Sequence, residues 1–317
     1  MIVFLLRRFG FIILALFLAS IIIFGATQLL PGDVAQLVLG QFATEEAVNN
    51  LREELGLNRP IHVQYLDWAS GFIRGDWGYS MVFHMPVFPI VMERLQSSAI
   101  LAGLSFLLYV PLGIVLGVIA AIKREKILDR LISGTSMAFV GLPEFVTGLL
   151  LISFFAIGLG VLPANSALEP GFRFMDAIPY LILPAITVSL TSLGYVVRMV
   201  RSGTIEVLRT DYVRAAELKG LPGRAVLFRH VLRNALLPTI TVVAMGIGWL
   251  LGGLIVTEQV FGYPGLGRIL IFSIQRGDLP MIQAATLVIV SIFLLANMVA
   301  DILFSLLNPR IRVGTQR

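Results

Sequence analysis

The side chains that carry out most enzyme chemistry are scarce in this 317-residue chain and are not spaced for catalysis. The chain has no cysteine, which excludes disulfides and thiol chemistry. Its three histidines, His62, His84 and His230, are not spaced as metal ligands, and no His-Glu-x-x-His pattern occurs. No Gly-x-x-x-x-Gly-Lys-Ser/Thr pattern occurs either, so no P-loop is available for ATP. We therefore expect a chain that is not an enzyme and has no catalytic residues, metal or cofactor of its own.

Acidic and hydroxyl side chains within long apolar segments are the remaining candidates. A charge near the middle of a bilayer costs about 2.5–3.5 kcal/mol, so such a residue is usually functional or paired. Glu144 follows Pro143, which disrupts a helix and favours a polar cavity. We take four residues as candidates for lining a translocation path: Glu144, Thr187, Thr191 and Glu258. The alternative is that they form hydrogen bonds between helices or, for the acids, that the charge lies near the membrane edge.

Six apolar segments define the architecture of a chain in which 57% of residues are hydrophobic and 14% are charged. Each segment contains at least the roughly 20 residues that a helix needs to cross a hydrocarbon layer about 30 Å thick. They predict an all-α membrane protein with six transmembrane helices: Phe9–Leu30, Ser97–Ile122, Leu131–Leu159, Ile178–Val200, Leu236–Thr257 and Met281–Leu307.

The distribution of lysine and arginine predicts the orientation of these helices. Six spans put both termini on one side, and cytoplasmic segments carry an excess of these residues. If the termini are cytoplasmic, most of the 24 lysine and arginine residues are also cytoplasmic, and the exceptions are Arg52, Arg59, Arg74, Arg94, Arg173, Arg268 and Arg276. The opposite orientation would reverse the excess. We therefore predict cytoplasmic termini and a large outer loop between spans one and two. The net charge of +5 follows from this topology and does not indicate a nucleic-acid partner.

The large outer loop, Pro31 to Gln96, contains two predicted helices. Thr44 is suited to cap the first, and Gly56 is suited to end it. Pro60 begins the second, whose aromatic residues recur at helical spacing: Tyr65, Trp68 and Phe72. These helices can lie at headgroup level or form a docking platform.

The glycine-rich segment Glu258 to Arg268 follows the fifth span. We interpret it as a tight re-entrant turn, because no Lys-Ser/Thr follows the glycines to bind phosphate.

Between spans four and five, Glu206 to Pro238 forms a polar, cationic island that is longer than a simple turn requires. Asp211 is suited to cap a helix that ends at Gly220 in the left-handed C′ position, and one face is predicted from the spacing of Leu208, Tyr212, Ala215 and Ala216. A second helix is predicted from Arg224 to Leu237, with Val226, Leu227, Val231 and Leu232 on one side and Arg224, Arg229 and Arg233 on the other. By physical chemistry alone, the island could equally be a basic amphipathic segment lying on anionic lipid.

Two stretches of this island resemble the cytoplasmic loop of ABC-importer permeases, most closely the peptide/nickel type. They are Tyr212 to Gly220, which reads YVRAAELKG, and Arg229 to Pro238, which reads RHVLRNALLP. The general form is Glu-Ala-Ala, three residues, then Gly. Here Arg214 stands in place of the Glu, while Ala215, Ala216 and Gly220 match. The later proline of the general form is absent, a second departure typical of the peptide/nickel type. The outer loop and the Glu258–Arg268 segment are also similar to that family.

The resemblance implies a type I ABC-importer permease fold in the bacterial cytoplasmic membrane. It implies a first helix with an extracytoplasmic loop (residues 1–95), a five-helix core (96–308) with a coupling loop (201–235), and a cytoplasmic tail (309–317). The coupling helix would transmit movement from separate ATPases, and its implied contact residues are Tyr212, Arg214, Ala215, Ala216, Glu217, Gly220 and Leu221.

The partners that the resemblance implies are a second related permease, two cytoplasmic ABC ATPases that bind ATP and magnesium, and an extracytoplasmic solute-binding protein. The implied solutes are di- or oligopeptides, with nickel, glutathione and opines as alternatives. A hypothesis of another class is a self-contained secondary transporter. It would predict inverted repeats and paired midplane charges, and neither is visible in the sequence.

Overall fold

The computed structural model describes residues 2–29, 44–54, 58–167 and 174–307, and they are almost entirely helical. The first part of the chain consists of α1 (Ile2–Gln28), α2 (Glu45–Glu54), α3 (Ile61–Arg74) and a two-residue antiparallel ladder of β1 (Tyr79–Ser80) with β2 (Met85–Pro86). This ladder is a small exception to the predicted all-α class. The predicted helix end at Gly56 and the tail 309–317 lie outside the described residues.

Several of the helices that follow are long and continue beyond the predicted apolar segments. They are α4 (Val87–Ile122), α5 (Ile127–Gly141), α6 (Glu144–Leu151) with a π-helical continuation (Ile152–Gly158), and α7 (Phe174–Leu208). The short α8 (Asp211–Leu218) comes next, followed by α9 (Gly223–Val226), a π-helical turn (Leu227–Val231) and α10 (Leu232–Ala235). The chain ends with α11 (Leu237–Phe261), α12 (Leu266–Arg276) and α13 (Leu279–Leu307).

Four helices of the described part are long and apolar enough to cross a membrane, and the number rises to six if each of two bent pairs is one span. The four are Leu6–Gln28, Val87–Ile122, Asp176–Leu208 and Leu279–Ile302. The bent pairs are Ile127–Gly141 with Glu144–Gly158, at 111°, and Gly223–Ala235 with Leu237–Gly248, at 48°. The third predicted span, Leu131–Leu159, is therefore not one continuous helix.

The break in this third segment has a local cause at Leu142 and Pro143. A proline disfavours the helical conformation in the residue before it, and Leu142 has an extended backbone (φ −87°, ψ 130°). Pro143 also has an extended ψ of 140°, so two successive residues leave the helix before α6 begins at Glu144. The sequence predicted a disruption of the helix at Pro143, and in the structure the helices on either side of it are bent by 111°.

One compact unit consists of Met1–Ser98 and Pro264–Leu294. Its buried core brings together α4, α12 and α13 through Val87, Val91, Leu266, Met281 and Ala285. Thr44 caps α2, since its Oγ1 accepts a hydrogen bond from the Ala47 amide at 3.3 Å, as the sequence predicted.

The aromatic residues predicted for α3 pack against the first helix of the same unit. Phe24 of α1 lies 5.6 Å from both Tyr65 and Trp68, measured between ring centroids. Phe72 stacks on Trp77 at 4.6 Å. The buried Ser80 hydroxyl donates a hydrogen bond to Asp278, which anchors the β ladder to the turn before α13.

The second compact unit consists of Ala99–Tyr263 and Leu295–Arg317. Here α7 is the central helix, and α5, α6 and α11 pack on it. The buried core includes Tyr109, Leu181, Val188 and Leu254. Helix α4 approaches α7 closely at two glycines: a Cβ on Gly113 would lie 2.6 Å from Val196, and a Cβ on Gly117 would lie 2.6 Å from Val200.

Candidate coupling surface and translocation cavity

The segment that carries the predicted coupling residues contains the short helix α8, and the backbone geometry defines both of its ends. The N-cap residue is Thr210 (φ −78°, ψ 149°), and its own hydroxyl donates to the Val207 carbonyl at 2.6 Å. The prediction that Asp211 caps the helix is therefore wrong. Asp211 is the first helical residue, where its negative charge still interacts favourably with the helix dipole.

The C-terminus of α8 agrees with the prediction. Gly220 has a φ of +79°, a left-handed conformation that glycine adopts without steric cost. The Gly220 amide donates to the Glu217 carbonyl at 2.9 Å, and the Leu221 amide donates to the Ala216 carbonyl at 3.4 Å. This pair of bonds is a Schellman motif, which ends the helix and reverses the chain.

The buried face of α8 differs from the predicted one. Val213 and Ala216 are 1% and 6% exposed, whereas Tyr212 and Ala215 are exposed. The two buried residues belong to a small apolar cluster with Val226, Val231 and Ala235. The predicted face was counted from Leu208, but Leu208 ends α7 and the chain leaves the helix at Thr210, so the spacing does not carry across. Ala216 therefore packs within this chain and is not available to a partner.

The outward side of α8 carries the other predicted contact residues. Tyr212, Arg214, Ala215, Glu217, Gly220 and Leu221 are all exposed. At 100° per residue, Leu218 lies opposite the midpoint between Val213 and Ala216. Its side chain is 84% exposed, beside the small side chain of Ala215. Leu218 was missed from the sequence because the face counted from Leu208 excluded it.

The second half of the island packs against the buried face of α8. It contains a helix from Gly223 to Ala235 with a π-helical turn in the middle, close to the predicted limits of Arg224 and Leu237. Its predicted apolar side is confirmed, since Val226 and Val231 are buried, and its arginines are exposed: Arg224, Arg229 and Arg233. The Asn234 amide donates a hydrogen bond to the Tyr212 hydroxyl at 2.8 Å, which ties the two halves together.

A cavity of about 200 Å³ lies within the same unit, and two of the four predicted path residues line it. These are Glu144, at the start of α6, and Thr191 of α7. Their neighbours in the wall are Tyr109 of α4, Ser192 and Tyr195 of α7, and Gly246 of α11. Tyr109 was missed from the sequence because nothing in the apolar segment around it distinguishes it from a core aromatic residue.

The other two predicted path residues do not line this cavity. Thr187 is buried, and its hydroxyl donates to the Leu183 carbonyl of its own helix at 2.8 Å. Glu258 is 0% exposed at the end of α11, where its backbone carbonyl accepts from the Tyr263 amide at 2.9 Å. Among the described residues, no group of three or more His, Cys, Asp or Glu side chains gathers in a way that could hold a metal ion.

Long apolar helices, a cationic helical island between two of them and a polar cavity among them define a multi-pass helical transport protein of a membrane. The chain belongs to the family of binding-protein-dependent transport system inner membrane components, which it matches over residues 113–313. Residues 1–102 match the N-terminal region of the membrane components of the same systems. The protein is therefore a multi-pass ABC-transporter permease of the bacterial inner membrane.

Similar proteins cover almost the whole chain. A probable peptide ABC transporter permease of Sinorhizobium fredii is 37% identical, over 98% of this chain and 99% of that protein. A di/tripeptide transport system permease of Pseudomonas aeruginosa is 36% identical with the same coverage. A glutathione transport system permease of Escherichia coli is 36% identical over 96% of this chain and 97% of that protein. A solved amino acid ABC transporter with histidines aligns at a TM-score of 0.49 and 20% identity, over 70% of this chain and 94% of that one.

Proposed function

We propose that this chain is one transmembrane subunit of an ATP-driven importer that moves short peptides across the cytoplasmic membrane. The family membership and the names of the similar proteins support this function, because peptide, di/tripeptide and glutathione permeases share peptides as their substrate class. The subunit itself is not catalytic. ATP and magnesium are bound by two partner ATPases, and the chain needs no cofactor of its own.

The proposed assembly also contains a second related permease and an extracytoplasmic binding protein. The chain crosses the membrane six times, counting each bent pair as one span, and both termini are cytoplasmic. This orientation is supported by the excess of lysine and arginine on that side. The binding protein delivers the peptide to the outer face. Closure of the ATPases on ATP then moves α8, and the spans turn from inward-open to outward-open so that the cavity accepts the peptide.

The observation that carries the proposal is the outward face of α8. Leu218 is 84% exposed, and Tyr212 and Leu221 are exposed as well, so several apolar side chains together form a surface that a partner can cover. Ala215 beside Leu218 permits close approach, and Arg214 offers a charge for acidic residues on the partner. The inward side, at Val213 and Ala216, packs α8 against the rest of the loop. A movement that the partner imposes at Leu218 is therefore transmitted to the spans.

The test is to replace Leu218 by serine and measure how much ATPase co-purifies with the permease in mild detergent. Burying a leucine contributes about 1.5–3 kcal/mol, so the retained ATPase should fall about tenfold or more. Ile73→Ser is the matched control, because Ile73 is 86% exposed on α3, which is predicted to be extracytoplasmic. Equal retention of ATPase in Leu218→Ser and wild type would refute the coupling role. Full transport by the chain alone, with no ATPase present, would instead support a secondary transporter.

A further inference from the structure

The wall of the cavity beside Glu144 contains an acidic side chain and no basic one. Among its lining residues Glu144 is the only carboxylic acid, and none is lysine or arginine. The other polar residues of the wall carry hydroxyl groups: Tyr109, Thr191, Ser192 and Tyr195. A carboxylate that shares a cavity wall with hydroxyl groups and with no basic residue suits a cation that donates several hydrogen bonds.

The Glu144 carboxylate lies against a glycine of α11, Gly253, and needs the space that the missing side chain leaves. A Cβ on Gly253 of α11 would lie 2.5 Å from both Glu144 oxygens, so any other residue there would displace the carboxylate. A Cβ on the adjacent Gly252 would meet nothing within 4 Å. Within the described residues, no side chain donates a hydrogen bond to Glu144, which leaves its oxygens available to a ligand.

Tyr109 provides a second, independent indication of a ligand. Its side chain is 1% exposed, and its hydroxyl has no hydrogen-bond partner among the described residues. Gly246 of α11 lies beside this hydroxyl, since a Cβ there would be in van der Waals contact with the Tyr109 oxygen at 3.4 Å. Among the described residues, Tyr109 has one of five buried side-chain hydroxyls without a partner, and it is the one of the five that lines the cavity beside Glu144. A polar ligand in the cavity would supply the missing partner.

We propose that this cavity binds the ammonium group at the free amino terminus of the transported peptide. Glu144 supplies the negative charge, and the hydroxyl groups of Tyr109 and Thr191 accept the remaining N–H bonds of the ammonium. The volume of about 200 Å³ is below the roughly 300–1,000 Å³ typical of whole-ligand pockets, so the cavity holds the amino-terminal residue only. This inference rests on the proposed function and assigns the chemical group that the path recognises.

The experiment uses the complete importer in liposomes, with the loaded binding protein outside, and measures ATP-dependent uptake of radiolabelled alanyl-alanine. Glu144→Gln should lower uptake about tenfold or more, because it keeps the shape of the side chain but removes the negative charge that pairs with the ammonium. Gly253→Ala should lower it similarly by displacing the carboxylate, whereas Gly252→Ala should transport at the wild-type rate. Tyr109→Phe keeps the cavity's shape and should lower uptake about threefold or more. In each variant the loaded binding protein should still stimulate ATP hydrolysis, which a misfolded permease would not allow.

Alanyl-lysine distinguishes the amino terminus from a side-chain ammonium. If the amino terminus binds, Glu144→Gln should lower the uptake of alanyl-alanine and of alanyl-lysine equally. A loss confined to alanyl-lysine would show that Glu144 binds the side-chain ammonium and would overturn that assignment. Uptake of alanyl-alanine at the wild-type rate by both Glu144→Gln and Gly253→Ala would overturn the site while leaving the importer function intact. An absence of ATP-dependent peptide uptake by the wild-type complex would be a failure of the proposed function itself.

Discussion

Arg201 forms a two-point ion pair with Asp129: its Nε lies 2.6 Å from Oδ1 of the carboxylate, and its Nη2 lies 2.7 Å from Oδ2. The pair joins the first turn of α5 to α7 shortly before α7 leads into the coupling helix. Asp129 also accepts hydrogen bonds from the Ser133 hydroxyl at 3.1 Å and from the Glu125 amide at 2.9 Å. Glu125 has a φ of +64°, so this bond helps to hold a left-handed residue in the turn before α5.

This ion pair should contribute measurably to the stability of the permease. Asp129→Asn removes the charge that Arg201 faces, and the Asp129 side chain is only 5% exposed. Breaking a fully buried pair costs about 3–5 kcal/mol. Because water still reaches Arg201, we expect a loss of about 1–3 kcal/mol, measured as a lower unfolding temperature in detergent.

The control for this measurement is the ion pair between Arg59 and Asp67, which are 63% and 62% exposed. Asp67→Asn should change stability by less than about 0.5 kcal/mol, because exposed pairs contribute little. Equal shifts for Asp129→Asn and Asp67→Asn would contradict the stabilising role of the buried pair.

Gly220 should control the end of the coupling helix through its backbone conformation. An alanine at a φ of +79° costs about 1–2 kcal/mol, which opposes the Schellman bonds at the end of α8. In Gly220→Ala we expect the backbone amides of residues 220 and 221 to exchange hydrogen with solvent about fivefold faster or more than in the wild type. Gly223→Ala is the matched control, since a Cβ there meets nothing within 4 Å and its φ is not positive. Unchanged exchange in Gly220→Ala would show that α8 is held by other contacts.

The close approach of α4 to α7 should depend on a glycine at position 117. A Cβ there would lie 2.6 Å from the Val200 Cβ and 2.9 Å from the Val197 carbonyl oxygen, and backbone cannot move aside cheaply. Gly117→Val should therefore destabilise the permease by about 1–3 kcal/mol and reduce the yield of monodisperse protein in mild detergent. Gly103 lies on the same helix with open space around it, so Gly103→Val serves as the control. Comparable yields and unfolding temperatures for both variants would argue against tight packing at Gly117.

The coupling segment was largely predictable because its signals are local. Gly220 lies at the left-handed end of α8, and Val226 and Val231 form the predicted apolar side of the following helix. The buried face of α8 was not predictable in the same way. A break of two residues at Arg209 and Thr210 resets the helical register, so that Val213 takes the place expected for Tyr212.

The corner before α6 shows the same limit at larger scale. Pro143 predicts a disruption from its own covalent geometry, but the angle of 111° depends on how α5 and α6 each pack on α7. Asp129 is similar: in the sequence it is one of two acids in the short basic segment Lys123–Arg130, and its partner Arg201 lies 72 positions away. Its importance follows only from the fold that brings the two together.

By itself, the sequence determined that this is a helical membrane permease, because apolar length, the bias of lysine and arginine and the Ala-Ala-x-x-x-Gly pattern are properties of short stretches. It also indicated Glu144 and Thr191, since polar groups are costly within apolar segments. Only the tertiary structure decided that these two share a cavity with Tyr109, that Thr187 and Glu258 do not, and that Leu218 faces outward. The physical reason is that burial and polar pairing depend on contacts between helices distant in the chain, and no local pattern encodes the angles at which those helices meet.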